Sequence, residues 1–142
     1  MNSTIERFGY PGALIAGYPH WVVLLRPEQP TLGSLVIAAT SDERAFSALP
    51  AAAFAELGRV VSDVESALAR TIAYEKINYL MLMMVDPHVH FHVIPRYAGV
   101  RQLNGLAIAD HGWPKAPQLA PAIALDEGTR ADLVQRLKDA WA

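Results

Sequence analysis

A run of nine residues, His88-Val89-His90-Phe91-His92-Val93-Ile94-Pro95-Arg96, constrains this chain more than any other segment. Side chains of a β-strand alternate between two faces, so an extended run here sends the three imidazoles to one side at ~7 Å steps. Val89, Phe91 and Val93 go to the other side, where they can pack. With 5 histidines in 142 residues, chance would place such a triple in only ~0.5% of shuffled chains. Imidazoles crowded on one face repel as cations and each need a polar partner as neutral rings. A row of them therefore points to chemistry rather than to packing.

The rest of the chain supplies a frame for that strand. Leu14-Ile15, Trp21 to Leu25 and Leu35 to Ala39 read as strands, separated by Gly17-Tyr18-Pro19 and by a turn at Leu32-Gly33-Ser34. From Pro50 to about Tyr74 the period changes: Phe54, Leu57, Val61, Val64 and Leu68 recur at helical steps and predict one buried stripe. Pro50 suits the first turn of that helix. Ile77 to Met84 is apolar on both faces and reads as a central strand, with Met81, Met83 and Met84 in the core. A longer or bulged connection at Asp86-Pro87 then leads into a strand from His88 to Ile94, which Pro95 stops. The segment 98–125, punctuated by proline and glycine, reads as irregular. A last helix is expected from about Thr129 to Trp141, with Thr129 and Asp132 as its cap pair. Connections this short around the histidine strand argue for an α+β domain with an antiparallel sheet, one domain over residues 1–142.

Composition narrows the function classes. At 52% hydrophobic and 18% charged residues the chain is globular, and its 12 Lys and Arg are scattered against a net charge of −2. No groove for a nucleic acid polymer is expected. The absence of cysteine removes thiol nucleophiles and thiolate zinc sites. The start, Met1 to Arg7, has no apolar core of a secretory signal, and Tyr79 to Val85 is too short to span a bilayer. The expectation is a cytoplasmic protein with no membrane partner.

Two kinds of chemistry use histidines so spaced. A metal can be held by a His-x-His pair, but the outer pair of this row is ~14 Å apart on a straight strand. A metal site would therefore take two of the three plus Asp86, His111 or His20. Alternatively, one neutral imidazole attacks phosphorus while its neighbours bind the non-bridging oxygens and protonate the leaving group. That scheme needs no metal or other cofactor and suits a line of imidazoles better.

His-Val-His-Phe-His-Val-Ile-Pro-Arg resembles the signature of the histidine triad family of nucleotide hydrolases and transferases. The Pro95-Arg96 ending with Tyr97 is similar to the branches acting on dinucleoside polyphosphates and nucleoside phosphoramidates. The strands from Trp21 to Ile37, the long helix and Asn78 fit the same pattern, which covers about residues 18–97. The resemblance implies a histidine-triad-like antiparallel sheet of about five strands with a long central helix and a C-terminal helix, paired as a homodimer. It implies a small-molecule nucleotide substrate and transient nucleotidylation of His90, with His88 and His92 assisting. The expected substrate contacts are Asn78, which matches the pattern, Ser34, and Arg26 or Arg96 in place of phosphate donors this chain lacks. Three departures stand out. Many relatives carry Gly-Gln-Ser or Gly-Gln-Thr before the first histidine, where this chain has Met84-Val85-Asp86-Pro87. An Asn used on the ribose is replaced by Leu25-Arg26, and a Pro-Gly-His turn by Leu32-Gly33-Ser34. His111 to Pro114 is a candidate wall of the pocket, with Trp113 available to stack on a base.

Overall fold

Two five-residue runs, Trp21–Leu25 and Leu35–Ala39, are buried at every position, as central strands covered on both faces must be. The structure is a computed structural model that describes residues 1–141. In chain order its elements are helix α1 (Ser3–Arg7), strands β1 (Leu14–Gly17), β2 (Trp21–Leu25), β3 (Glu28–Gln29) and β4 (Leu35–Ala39), and helix α2 (Ala51–Thr71). There follow β5 (Lys76–Leu80), β6 (His90–Arg96), β7 (Val100–Leu103), β8 (Leu106–Ala109), β9 (Ile123–Ala124) and helix α3 (Glu127–Ala140). Five of the strands form one antiparallel sheet in the order β1-β2-β4-β6-β5. β3 pairs with β9 and β7 with β8 in two small ribbons.

The sheet separates two apolar clusters. On one face Trp21, Val23, Leu25, Leu35, Ile37 and Val93 meet α2 and α3 in the main core. On the other, Val22, Leu24, Val36 and Ala38 pack with Ile5 of α1 and with Ala13. Register carries this alternation into the histidine strand: His90 lies opposite Ala38 and His92 opposite Val36. Both imidazoles therefore stand on the face of the smaller cluster, while Phe91 and Val93 join the main core.

Several expectations are corrected. The buried stripe of α2 is Ala53, Val60, Val64, Ala67 and Leu68, whereas Phe54 is 42% exposed beside Phe46. Hydropathy gives alanine little weight, yet Ala53 allows close approach, and its carbonyl accepts a 2.8 Å hydrogen bond from the Trp21 indole. Pro50 is the N-cap of α2 rather than a residue of its first turn. The strand expected to be central, Ile77 to Met84, is instead the sheet's edge and ends at Leu80. A run of apolar residues cannot distinguish an edge half-covered by helices from a centre. Met83 lies beyond the ladder with φ 55°, and Met84 is 84% exposed rather than in the core.

The histidine strand is displaced as well. It begins at His90, with His88 at a bend before it, and passes through Pro95 to Arg96. Pro95 is tolerated because the pairing with β4 has already ended at Val93, leaving β5 as the only neighbour. The segment read as irregular contains the β7–β8 hairpin. Its turn is Asn104-Gly105, with φ of 49° and 80°, the two left-handed positions a tight hairpin turn demands. Helix α3 is capped by Asp126, whose carboxylate accepts from Thr129 N–H at 2.7 Å; Thr129 itself lies inside the helix. The turn at Gly33 is as expected. Its φ is 86°, and a Cβ there would sit 2.8 Å from Ile72 Cγ1.

Candidate active site

His90 and His92 line a cavity of about 360 Å3. Its other walls come from Arg7 at the end of α1 and Phe8 just after it, the chain after β2 (Arg26, Pro27, Glu28) and the loop after β5 (Leu82 to Asp86). The two imidazoles are 5.1 Å apart between ring centres, nearly edge to face, and Phe8 packs 5.5 and 5.6 Å from them. All three triad histidines are buried among protein groups.

Each ring has a defined partner at Nδ1. His90 Nδ1 lies 2.7 Å from the carbonyl oxygen of His88. A carbonyl can only accept, so His90 Nδ1 carries the proton and the lone pair is left on Nε2. His88 Nδ1 lies 2.8 Å from the Thr4 hydroxyl, which also accepts the His88 backbone N–H. That places His88 against α1 and off the cavity wall; its backbone carbonyl, not its ring, contacts the next histidine. His92 Nδ1 accepts a hydrogen bond from Arg26 Nε at 3.3 Å. Burial, then the charges of Arg26 and His90, push His92 down to about 4, so its ring is neutral near pH 7. Burial also pushes the Arg26 guanidinium down, with Glu28 opposing. Arg26 is further tied by NH1 to the Glu28 carbonyl at 2.6 Å.

Of the substrate contacts expected from sequence, Arg26 alone meets the two histidines in this cavity. Ser34 is fully buried in the turn before β4, where its hydroxyl bonds to the Thr31 carbonyl and hydroxyl. Arg96 is enclosed by Asp110, Asn78 and the Lys115 carbonyl. Asn78 and Arg96 border a separate cleft along β5, together with Trp113. Trp113 thus walls that cleft rather than the histidine cavity, and His111 is exposed. Among the described residues no group of three His, Asp or Glu side chains is gathered closely enough to hold a metal ion. No helix of the described residues is long and apolar enough to cross a membrane.

Arg7, Phe8 and Thr4 were not legible as site residues. They belong to a five-residue helix and its C-cap, too short for a periodic signal, and Thr4 reaches a histidine 84 positions away. The available clue was Asn2, whose side chain caps α1 through Ile5 N–H at 2.9 Å. Its amide also donates to the carbonyls of Ala39 and Ser41, clamping α1 against the sheet.

The fold is that of the histidine triad proteins. A histidine triad protein from Sinorhizobium meliloti superimposes with a TM-score of 0.76 at 21% identity, over 99% of this chain and 95% of that one. One from Bradyrhizobium japonicum gives 0.73 at 19% identity, over 100% and 97%. The diadenosine triphosphate hydrolase of Plasmodium falciparum, solved with cyclomarin A, gives 0.67 at 8% identity, over 91% and 76%. No protein-family model and no curated protein sequence matches the chain.

Proposed function

We propose that this protein is a nucleotide hydrolase or nucleotidyl transferase that cleaves a phosphoanhydride or phosphoramidate through a nucleotidyl group carried on His90. The observation that carries the reading is the 2.7 Å contact of His90 Nδ1 with the His88 carbonyl at the wall of a cavity. It leaves the Nε2 lone pair as the free nucleophile of that ring. In the first step Nε2 bonds to the α-phosphorus and the bond from phosphorus to the leaving group breaks. The imidazolium so formed keeps its Nδ1 proton on the His88 carbonyl, which stabilises the positive charge. His92 hydrogen-bonds a non-bridging oxygen, and the electron pair of the broken bond leaves with the departing group, which goes as a phosphate anion or, from a phosphoramidate, as an amine that takes its proton from solvent water. Water, or an acceptor nucleophile, then displaces phosphorus from Nε2 and restores the ring.

The anion is met by Arg26, whose NH2 end makes no protein hydrogen bond among the described residues, and by Arg7. These cations compensate for the missing Gly-Gln-Ser-type loop, where Asp86 and Pro87 stand. The substrate is a small nucleotide of the dinucleoside polyphosphate or nucleoside phosphoramidate type. Two copies pair along the open edge of β5, whose Ile77 and Tyr79 are only partly covered.

Intact-mass analysis tests the covalent step. After mixing with diadenosine polyphosphates or adenosine phosphoramidate, the protein is expected to gain one nucleotidyl group, and His90→Ala to gain none. Absence of the adduct together with absence of turnover across that panel would replace the enzyme by a nucleotide-binding module. Activity lost to a chelator and regained with zinc would replace it by a metal mechanism.

A further inference from the structure

The two cavity imidazoles differ in what holds them. His90 faces a carbonyl, which accepts, whereas His92 faces the Nε–H of Arg26, which can only donate. We propose that Arg26 is a positioning residue that locks His92 as the neutral Nε2–H tautomer, opposite to that of His90. With both Nδ1 atoms engaged by protein groups, the cavity is offered one ring that accepts at Nε2 and one that donates there. The neighbouring histidines are thereby divided into a nucleophile and a hydrogen-bond donor.

Geometry supports the lock from both sides. Arg26 does not swing freely: NH1 is anchored on the Glu28 carbonyl, and its own carbonyl accepts from Gln29 Nε2 at 2.7 Å. His92 is 7% exposed, fixed in β6 opposite Val36 of β4 and Leu80 of β5, and its ring is packed edge-on to Phe8. The charged and titratable groups around the same cavity are Arg26 and Glu28 after β2, His90 on β6, Arg7 on α1 and Asp86 in the loop after β5. Asp86 is paired with Arg7 at 3.3 Å. A protonated His92 would have to point an N–H at the Arg26 donor, so the contact opposes protonation by hydrogen bonding as well as by charge.

The inference rests on reading this cavity as the reaction site, but its test does not require turnover. In the nitrogen-15-labelled protein, long-range imidazole correlations distinguish the two tautomers, and His92→Gln assigns the signal. His92 is expected as Nε2–H from pH 8 to pH 5, and the neutral ring of His90 as Nδ1–H. Arg26→Met, which keeps the aliphatic stem and removes donor and charge, is expected to raise the proton affinity of His92 at least ~10-fold, one pH unit in its titration. An Nδ1–H tautomer for His92 in the wild-type protein overturns the proposal without any variant. So does a His92 titration that Arg26→Met leaves in place, since desolvation alone would then hold the ring neutral. If the variant does not fold, the wild-type tautomer decides. Where substrate turns over, the acid limb of the rate profile moves upward with the same shift. If no substrate turns over, the covalent mechanism falls while the tautomer result stands on its own.

Discussion

Replacing Asp110 by alanine tests whether Arg96 holds the fold or waits for a substrate. Arg96 Nε donates to Asp110 Oδ2 at 2.7 Å and NH2 to Oδ1 at 3.2 Å, a fork-to-fork pair with side chains only 4% and 1% exposed. The same carboxylate accepts the backbone N–H groups of Tyr97 and Gly112, both at 3.2 Å. Arg96 also holds Asn78 and the Lys115 carbonyl, each at 2.8 Å. One buried pair thus ties the end of β6 to β5 and to the segment beyond β8. Removing the carboxylate leaves a guanidinium buried without its counter-charge, which costs about 3–5 kcal/mol. For a chain of this size that lowers the melting temperature by roughly 6–20 °C. Urea unfolding at pH 7 is expected to show the loss, with Asp110→Ala still able to become nucleotidylated at low temperature because the pair lies outside the histidine cavity. A loss below ~1 kcal/mol with nucleotidylation abolished would refute the argument and return Arg96 to the substrate.

Two further outcomes follow from the same geometry. His92 has a folded-state value near 4 against an unfolded value of 6.5, so the unfolded chain takes its proton first as pH falls. Stability is therefore expected to drop between about pH 6.5 and pH 4, by up to ~3 kcal/mol from this group; the drop should shrink in urea titrations of His92→Asn, and an unchanged slope would dismiss the assignment. Pairing along β5 predicts a dimer in sedimentation velocity that becomes a monomer when proline replaces Tyr79, whose backbone lies on the open edge. A wild-type monomer at all concentrations would remove the edge-pairing model.

Much of the site-bearing strand could be read from residues alone. Alternation was enough to put His90 and His92 on one face and Phe91 and Val93 on the other, because the two-residue period of a strand is local geometry. It was not enough to keep His88 in that row, since Thr4 holds its ring and the strand starts two residues later. The Asn104-Gly105 hairpin was present in the sequence as a turn signal but obscured by the prolines that follow. The phase of α2 and the edge position of β5 depend on which surfaces face each other, and hydropathy does not encode that.

Short-range periodicity was enough to specify the long helix and a strand presenting paired imidazoles, and short connections the antiparallel α+β frame. Packing of the whole chain then settled what each imidazole meets. The Thr4 hydroxyl, the His88 carbonyl and the Arg26 guanidinium arrive from 84, 2 and 66 residues away, and they decide which nitrogen of each ring is occupied. It likewise drew Arg96 and Asn78 into a buried cluster with Asp110, away from the cavity. Protonation and burial depend on the groups within a few ångströms in space, and for a chain folded into a sheet those groups are seldom neighbours in sequence.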